Sequence, residues 1–167
     1  QLETVVISAN KNETNRMEAP VVVHVMTPKL FENTNSVCLA QGLSFQPGLR
    51  VETNCQNCGF QQVRINGLDG PYTQLLLDGK ALFSSLNGVY GIEQIPAGMI
   101  ERVEVMRGGG SALYGANAIG GTVNIITKEP LNNLFMISHN LIAIGNSAYD
   151  NTTSLNASLI NGQRNAG

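Results

Sequence analysis

The spacing of apolar and polar positions changes period several times along this chain, and each change marks an element. Residues 21–26 are continuous, apolar and mostly β-branched, which predicts a buried strand. Thr27-Pro28 then offers a helix N-cap with proline at the first helical position, predicting a short helix over residues 28–33. Ser36 is placed to cap a second helix through Gln41, with Leu39 and Leu43 four apart and Gly42 as a stop. Leu49-Arg50-Val51-Glu52 and Gln62-Val63-Arg64-Ile65-Asn66 alternate as half-buried strands do, on either side of a polar loop at 53–60. Residues 74–77 and 80–83 flank Asp78-Gly79, which predicts a tight hairpin because both residues tolerate positive φ. Residues 84–91 form a second loop carrying Tyr90, and 95–100 predict a helical turn. Residues 101–105 alternate strictly, with valines on one face and Arg102 and Glu104 on the other. A glycine turn follows at 107–110, then one helical turn capped by Ser111 and closed by Gly115, then a strand at 122–127.

The two ends have a different texture. Residues 1–20 are polar and uneven, with Val5-Val6-Ile7 as the one apolar cluster. They predict a mobile arm with a short β-prone patch, or an ordinary first strand. Beyond Pro130, residues 134–144 and 152–160 each have the length of a membrane β-strand. The second alternates Leu155, Ala157 and Leu159 against Ser154, Asn156 and Ser158, and 145–151 is turn-like. Such a hairpin leaves open edges, so it reads as the start of a larger barrel or as a hairpin packed on the domain's own core.

Composition narrows the function classes. The 167 residues suffice for one domain with a core. Ten basic against 12 acidic residues give a net charge of −2, which argues against a nucleic-acid partner. Eighteen glycines and only 13% charged residues describe a loop-rich protein. No apolar run approaches the ~20 residues of a membrane helix. Gln1-Leu2-Glu3 lacks the basic and apolar regions of a signal peptide, so a mature protein or a fragment is expected. Cys55-Gln56-Asn57-Cys58 is a C-x-x-C, with Cys38 as the third cysteine. A loop disulfide or plain thiols fit it better than a redox pair, since no βαβ pattern frames it. Half a zinc site fits poorly as well, since only Cys38, His24 and His139 could complete it.

Catalytic chemistry is not legible. A dinucleotide fingerprint from Gly108 and Gly110 needs glycine where Leu113 stands. A P-loop from Gly110 reaches Gly115 but continues Ala116-Asn117, without the phosphate-binding lysine. Ser111 lies in no G-x-S-x-G elbow. His24 is read as packed in its strand, and Glu101 and Glu104 do not form a carboxylate cleft. With no nucleophile–base constellation, no enzyme, no metal and no cofactor is expected.

One ordered set of motifs does stand out. Glu3-Thr4-Val5-Val6-Ile7 is followed by Pro20-Val21-Val22-Val23, then Pro47-Gly48-Leu49-Arg50-Val51, then Val63-Arg64-Ile65-Asn66-Gly67, then Leu75-Leu76-Leu77-Asp78-Gly79. Residues 100–130, IERVEVMRGGGSALYGANAIGGTVNIITKEP, complete the series. In order and spacing this resembles the plug domain of TonB-dependent outer-membrane receptors. Two departures are visible: Arg107-Gly108-Gly109 replaces the family's frequent Arg-Gly-Pro, and Ile65-Asn66 splits an arginine–glycine pair.

The resemblance implies an α+β fold, a small mixed twisted sheet with short helices and long loops. It would sit inside a roughly 22-stranded β-barrel of a Gram-negative outer membrane. It implies a TonB-box arm at 1–15, a plug at 16–130 and the start of a truncated barrel at 131–167. Glu3, Thr4, Val5, Val6 and Ile7 would be the TonB box, adding as a strand to the periplasmic TonB protein. Cys55, Gln56, Asn57, Cys58, Phe60, Ser84, Ser85 and Tyr90 would lie on apical loops facing substrate. Arg64, Glu101, Arg102, Glu104 and Arg107 would contact the receptor's own barrel, or simply be solvated strand charges. The implied cargo is an iron chelate (siderophore) or haem, with cobalamin or an oligosaccharide as alternatives. A receptor that also signals to a periplasmic regulator is a further alternative, and it would need an added N-terminal domain.

Overall fold

The computed structural model describes residues 5–6, 14–15, 21–55, 60–82, 92–129, 133–145 and 148–159. They fall into two compact units, Gln1–Thr127 and Lys128–Gly167. In the first, short strands β1 (Val5–Val6) and β2 (Thr14–Asn15) pair antiparallel. After them come β3 (Val23–Met26), α1 (Pro28–Asn33) and α2 (Leu39–Leu43). The antiparallel pair β4 (Leu49–Cys55) and β5 (Phe60–Ile65) forms its own two-stranded sheet. β6 (Thr73–Leu77), β7 (Lys80–Ala81), β8 (Ile100–Arg107), α3 (Ser111–Tyr114) and β9 (Gly121–Thr127) complete the unit. The main sheet has the order β3-β8-β9-β6-β7, with β6 and β9 parallel and the other neighbours antiparallel.

Local chemistry accounts for several of these elements. Asp78 and Gly79 both take positive φ, 49° and 76°, so the predicted tight turn forms between β6 and β7. The Asp78 carboxylate then accepts the backbone N–H and the hydroxyl of Thr127, each at 2.8 Å, fastening the turn to the end of β9. Helix α1 occupies its predicted span. Helix α2 starts later than expected, at Leu39, because Ser36 is buried against Thr34 (Oγ–Oγ 2.7 Å) and does not cap it. The first N–H groups of α2 go instead to carbonyls of the 92–95 loop: Leu39 to Ile95 at 2.9 Å, Ala40 to Ile92 at 3.3 Å.

Strand β8 contains a bulge. Ile100 pairs with Thr127 and Arg102 with Ile126, so Glu101 is the extra residue. The strict alternation read from the sequence would put Glu101 on the valine face. The bulge leaves Glu101 exposed and lets Ile100, Val103 and Val105 all enter one core.

That core fills one face of the main sheet. Met26, Val103, Val105, Val123, Ile125 and Leu75 meet Phe31, Leu39 and Leu43 of the helices, and Leu49, Val63 and Ile65 of the β4–β5 pair. Burying side chains of this size is worth about 1.5–3 kcal/mol each. The other face is also buried, yet it carries polar groups beside apolar ones; this is the polar face. Cross-strand neighbours there are Val25, Glu104, Asn124 and Leu76 in one row, and Val23, Met106, Thr122 and Gln74 in the next. Glu104, Thr122 and Asn124 are fully buried, so the expected surface charge at Glu104 is an interior one.

In the second unit, β10 (Leu134–Ile144) and β11 (Ala148–Ser158) form one antiparallel hairpin. β10 matches its predicted span; β11 begins earlier than the expected 152 and ends at 158 rather than 160. The continuous pairing from Leu134↔Ser158 to Ile144↔Ala148 carries Ala148–Asn151 into the strand, despite its turn-forming residues. Phe135, Ile137, Leu141, Tyr149 and Leu155 share an exposed face, and Ser138, Asn140, Thr152, Ser154 and Asn156 the opposite one. The alternation is partial: Met136, Ile142 and Ile144 stand on the second face, and His139, Asn151 and Thr153 on the first.

Candidate functional site

Among the described residues, the arm enters the fold through Val6. Val6 is fully buried and packs with Val23, with Val21 and Val25 around it. These three valines alternate along the chain, so Val6 sits on the polar face of the sheet, at its β3 edge. Val5–Val6 forms a strand at the expected β-prone patch, and Val6 is docked. Glu3, Thr4 and Ile7 lie outside the described residues.

The charged residues singled out in the sequence all sit in the first unit, and four of them have partners there. Glu104, deep in the polar face, accepts from Arg102 Nε at 2.9 Å. A buried carboxylate survives only when paired and hydrogen-bonded, which gives this arginine its structural value. Arg64 joins two carboxylates, Glu52 at 2.6 Å and Asp69 at 2.9 Å, and Arg50 also reaches Glu52, at 3.1 Å. Arg107 donates through Nη2 to the carbonyl of Pro47. Its guanidinium lies over Gly48, where a Cβ would come within 2.8 Å of Arg107 Cζ. Gly48 also has φ of 78°, so the Pro47-Gly48 turn and Arg107 fit each other, tying β4 to β8.

The glycine-rich segment after β8 closes over the polar face. Gly108 donates to Gly120 at 3.0 Å, and Gly120 to Tyr72 at 2.9 Å. At Gly110 a Cβ would press Ala118 and Thr122 at 3.0–3.1 Å, and at Gly121 it would strike the Met106 carbonyl at 2.2 Å. These glycines permit close backbone approach. Tyr114, at the end of α3, has its pKa raised, chiefly by burial and then by the negative charge of Glu104. On the sheet below, Thr122 Oγ1 and Asn124 Nδ2 are buried without a hydrogen-bond partner.

The expected substrate loops are less accessible to description. Cys55 ends β4 and Phe60 begins β5, paired across the two strands. Gln56, Asn57, Cys58, Ser84, Ser85 and Tyr90 lie outside the described residues, as does the question of a Cys55–Cys58 bridge. Sequence reasoning missed Glu52 and Asp69 as partners of Arg64, Val23 as the seat of the arm, and Tyr114. Only Glu52 carried a usable signal, since it stands two residues from Arg50 on the same strand face.

This arrangement has known counterparts. The family model of the TonB-dependent Receptor Plug Domain matches residues 15–122. The chain belongs to this family. It is 35% identical over 127 residues to the vitamin B12 transporter BtuB of Vibrio vulnificus, covering 76% of this chain and 21% of the relative. Against BtuB of Vibrio cholerae it is 31% identical over 126 residues, covering 75% and 21%. Among solved structures, a mutant of the ferric enterobactin receptor PfeA of Pseudomonas aeruginosa aligns with a TM-score of 0.61 at 30% identity, covering 83% of this chain and 22% of that one. The siderophore receptor PirA of Acinetobacter baumannii aligns with a TM-score of 0.62 at 27% identity, covering 81% and 22%. The plug thus spans about a fifth of the length of these relatives. The mixed sheet with short helices is the plug fold, the family is one of transporters and not of enzymes, and its location is the Gram-negative outer membrane.

Proposed function

We propose that this plug is the gating and sensing part of an active transporter whose barrel begins at β10 and whose arm is pulled by the periplasmic TonB protein. The observation that carries it is the docking of Val6 on the sheet's polar face. A short β-prone patch docked through Val6 can exchange between docked and free, an order–disorder switch suited to reporting substrate across the membrane. Arg64, Arg102, Glu104 and Arg107 then hold the plug's own form, and exposed Glu101 is left to meet the barrel wall.

The cargo we infer is an iron chelate, a siderophore or haem. The solved relatives at 27–30% identity, a ferric enterobactin receptor and a siderophore receptor, favour it. Cobalamin is the second reading, favoured by the 35% identity to a vitamin B12 transporter. The deciding experiment is growth of a strain lacking the intact receptor, supplied in turn with ferric siderophore, haem or cobalamin as the limiting nutrient. A defect confined to an iron source supports the first reading, and one confined to cobalamin replaces it with the second.

A further inference from the structure

Strand β1 already has a neighbour along its backbone. It pairs antiparallel with β2, Val5 opposite Asn15 and Val6 opposite Thr14. Among the described residues the two strands form a sheet of their own, joined to no strand of the main sheet. A bare strand edge is a template for any extended chain that meets it, and folded proteins cover such edges. This cover is short. It consists of two residue pairs, supplied by Thr14 and Asn15 from a polar stretch, and asparagine is depleted in strands. A two-stranded ribbon is marginal by itself. Val6, seated on Val23, ties β1 to the plug, and β2 pairs with β1 alone among the described strands.

We propose that β2 is a built-in competitor: it occupies the edge of β1 that a strand of the periplasmic TonB protein would take, and that strand binds by displacing Thr14–Asn15. The proposal rests on the transporter reading above and adds to it the edge that is used and the segment that guards it. In an antiparallel ladder each residue directs its N–H and C=O to the same side, so one edge accepts one neighbour. The chain's own strand and an added one therefore exclude each other. An incoming strand that pairs along residues 3–7 makes a longer ladder than the two pairs it replaces. While β2 is in place, only the fraction of molecules with the edge open can bind, and the apparent affinity falls by that fraction. Two pairs thus cover the edge against casual pairing and yield to a longer strand.

The test is the affinity of the purified intact receptor, free of cargo, for full-length TonB, both in detergent. The double variant Thr14→Pro/Asn15→Pro removes both N–H groups of β2 and should bind TonB several-fold more tightly than the parent. The double variant Val5→Cys/Asn15→Cys should form a disulfide across a directly opposed pair. Its binding should fall several-fold on oxidation and recover on reduction, with the parent unmoved by the same treatment. Unchanged binding by the proline variant overturns the competitor, and weaker binding makes β2 a template for β1 instead. Binding that survives oxidation, or a cysteine variant that forms no disulfide, overturns it as well. Each of these results leaves the transporter reading standing as long as the parent binds TonB. No binding by the parent or by any variant removes that reading too.

Discussion

Val103 and Glu104 are consecutive residues of one strand, both fully buried, on opposite faces of one sheet. On the valine face, Val105, Val123, Ile125 and Leu75 meet the helices and the β4–β5 pair in a close-packed apolar core. Opening that face exposes hydrocarbon and returns nothing. On the glutamate face, Glu104, Thr122, Asn124 and Gln74 are buried among Val23, Met106 and Leu76, and Thr122 Oγ1 and Asn124 Nδ2 have no hydrogen-bond partner within the protein. Each such orphan costs about 1–3 kcal/mol, which hydration returns when the face is parted. The arm is docked on this second face, through Val6. The contrast is between a wholly apolar face and a mixed one that carries buried polar groups, and under the proposed function the arm is docked on the mixed one.

The contrast can be broken by comparing substitutions across it. Ile125→Ala, on the apolar face, should cost about 4 kcal/mol in urea unfolding, as buried isoleucine truncations do. Arg102→Ala removes the Arg102 ion pair from buried Glu104 and should cost about 3 kcal/mol. If it costs more than Ile125→Ala, the polar face is the stronger one and the contrast fails. Gly48→Ala sets a Cβ at positive φ against the Arg107 guanidinium; a loss of about 1–2 kcal/mol should appear as a lower Tm. Val6→Ala should remove only about 1 kcal/mol of global stability while making the arm a faster target for limited proteolysis. An unchanged cleavage rate would mean that Val6 does not hold the arm.

The smallest effect sharpens the electrostatics of the polar face. Burial, and then the charge of Glu104, raise the pKa of Tyr114 above the ordinary 10.0. Above pH 10 the folded chain therefore binds more protons than the unfolded one. Stability from this group is complete below that pH and declines as pH rises through the folded pKa. Urea titrations at pH 9 and about 11 should show the decline, and Tyr114→Phe should flatten it.

Much of the plug was legible because its signals are local. Asp78-Gly79 specifies its turn through the φ values of two residues, and Thr27-Pro28 starts α1 in the same way. The main sheet was not legible to that depth. The parallel pairing of β6 with β9 joins residues nearly fifty positions apart, and no local pattern encodes it. The burial of Glu104 escaped for a related reason: alternation tells which residues share a face but not what covers that face. The bulge at Glu101 hides inside a run that alternates well by itself. At the candidate site, the resemblance picked out Arg64 and Arg107, but their partners, Asp69 and the Pro47 carbonyl, depend on loops brought together only in the fold.

In the proposed function the arm is the handle of a driven gate. Deleting residues 3–7 from the intact receptor and measuring binding and uptake of the cargo by whole cells tests this directly. The account predicts undiminished binding at the cell surface with uptake abolished. Uptake that persists at the parental rate would contradict it.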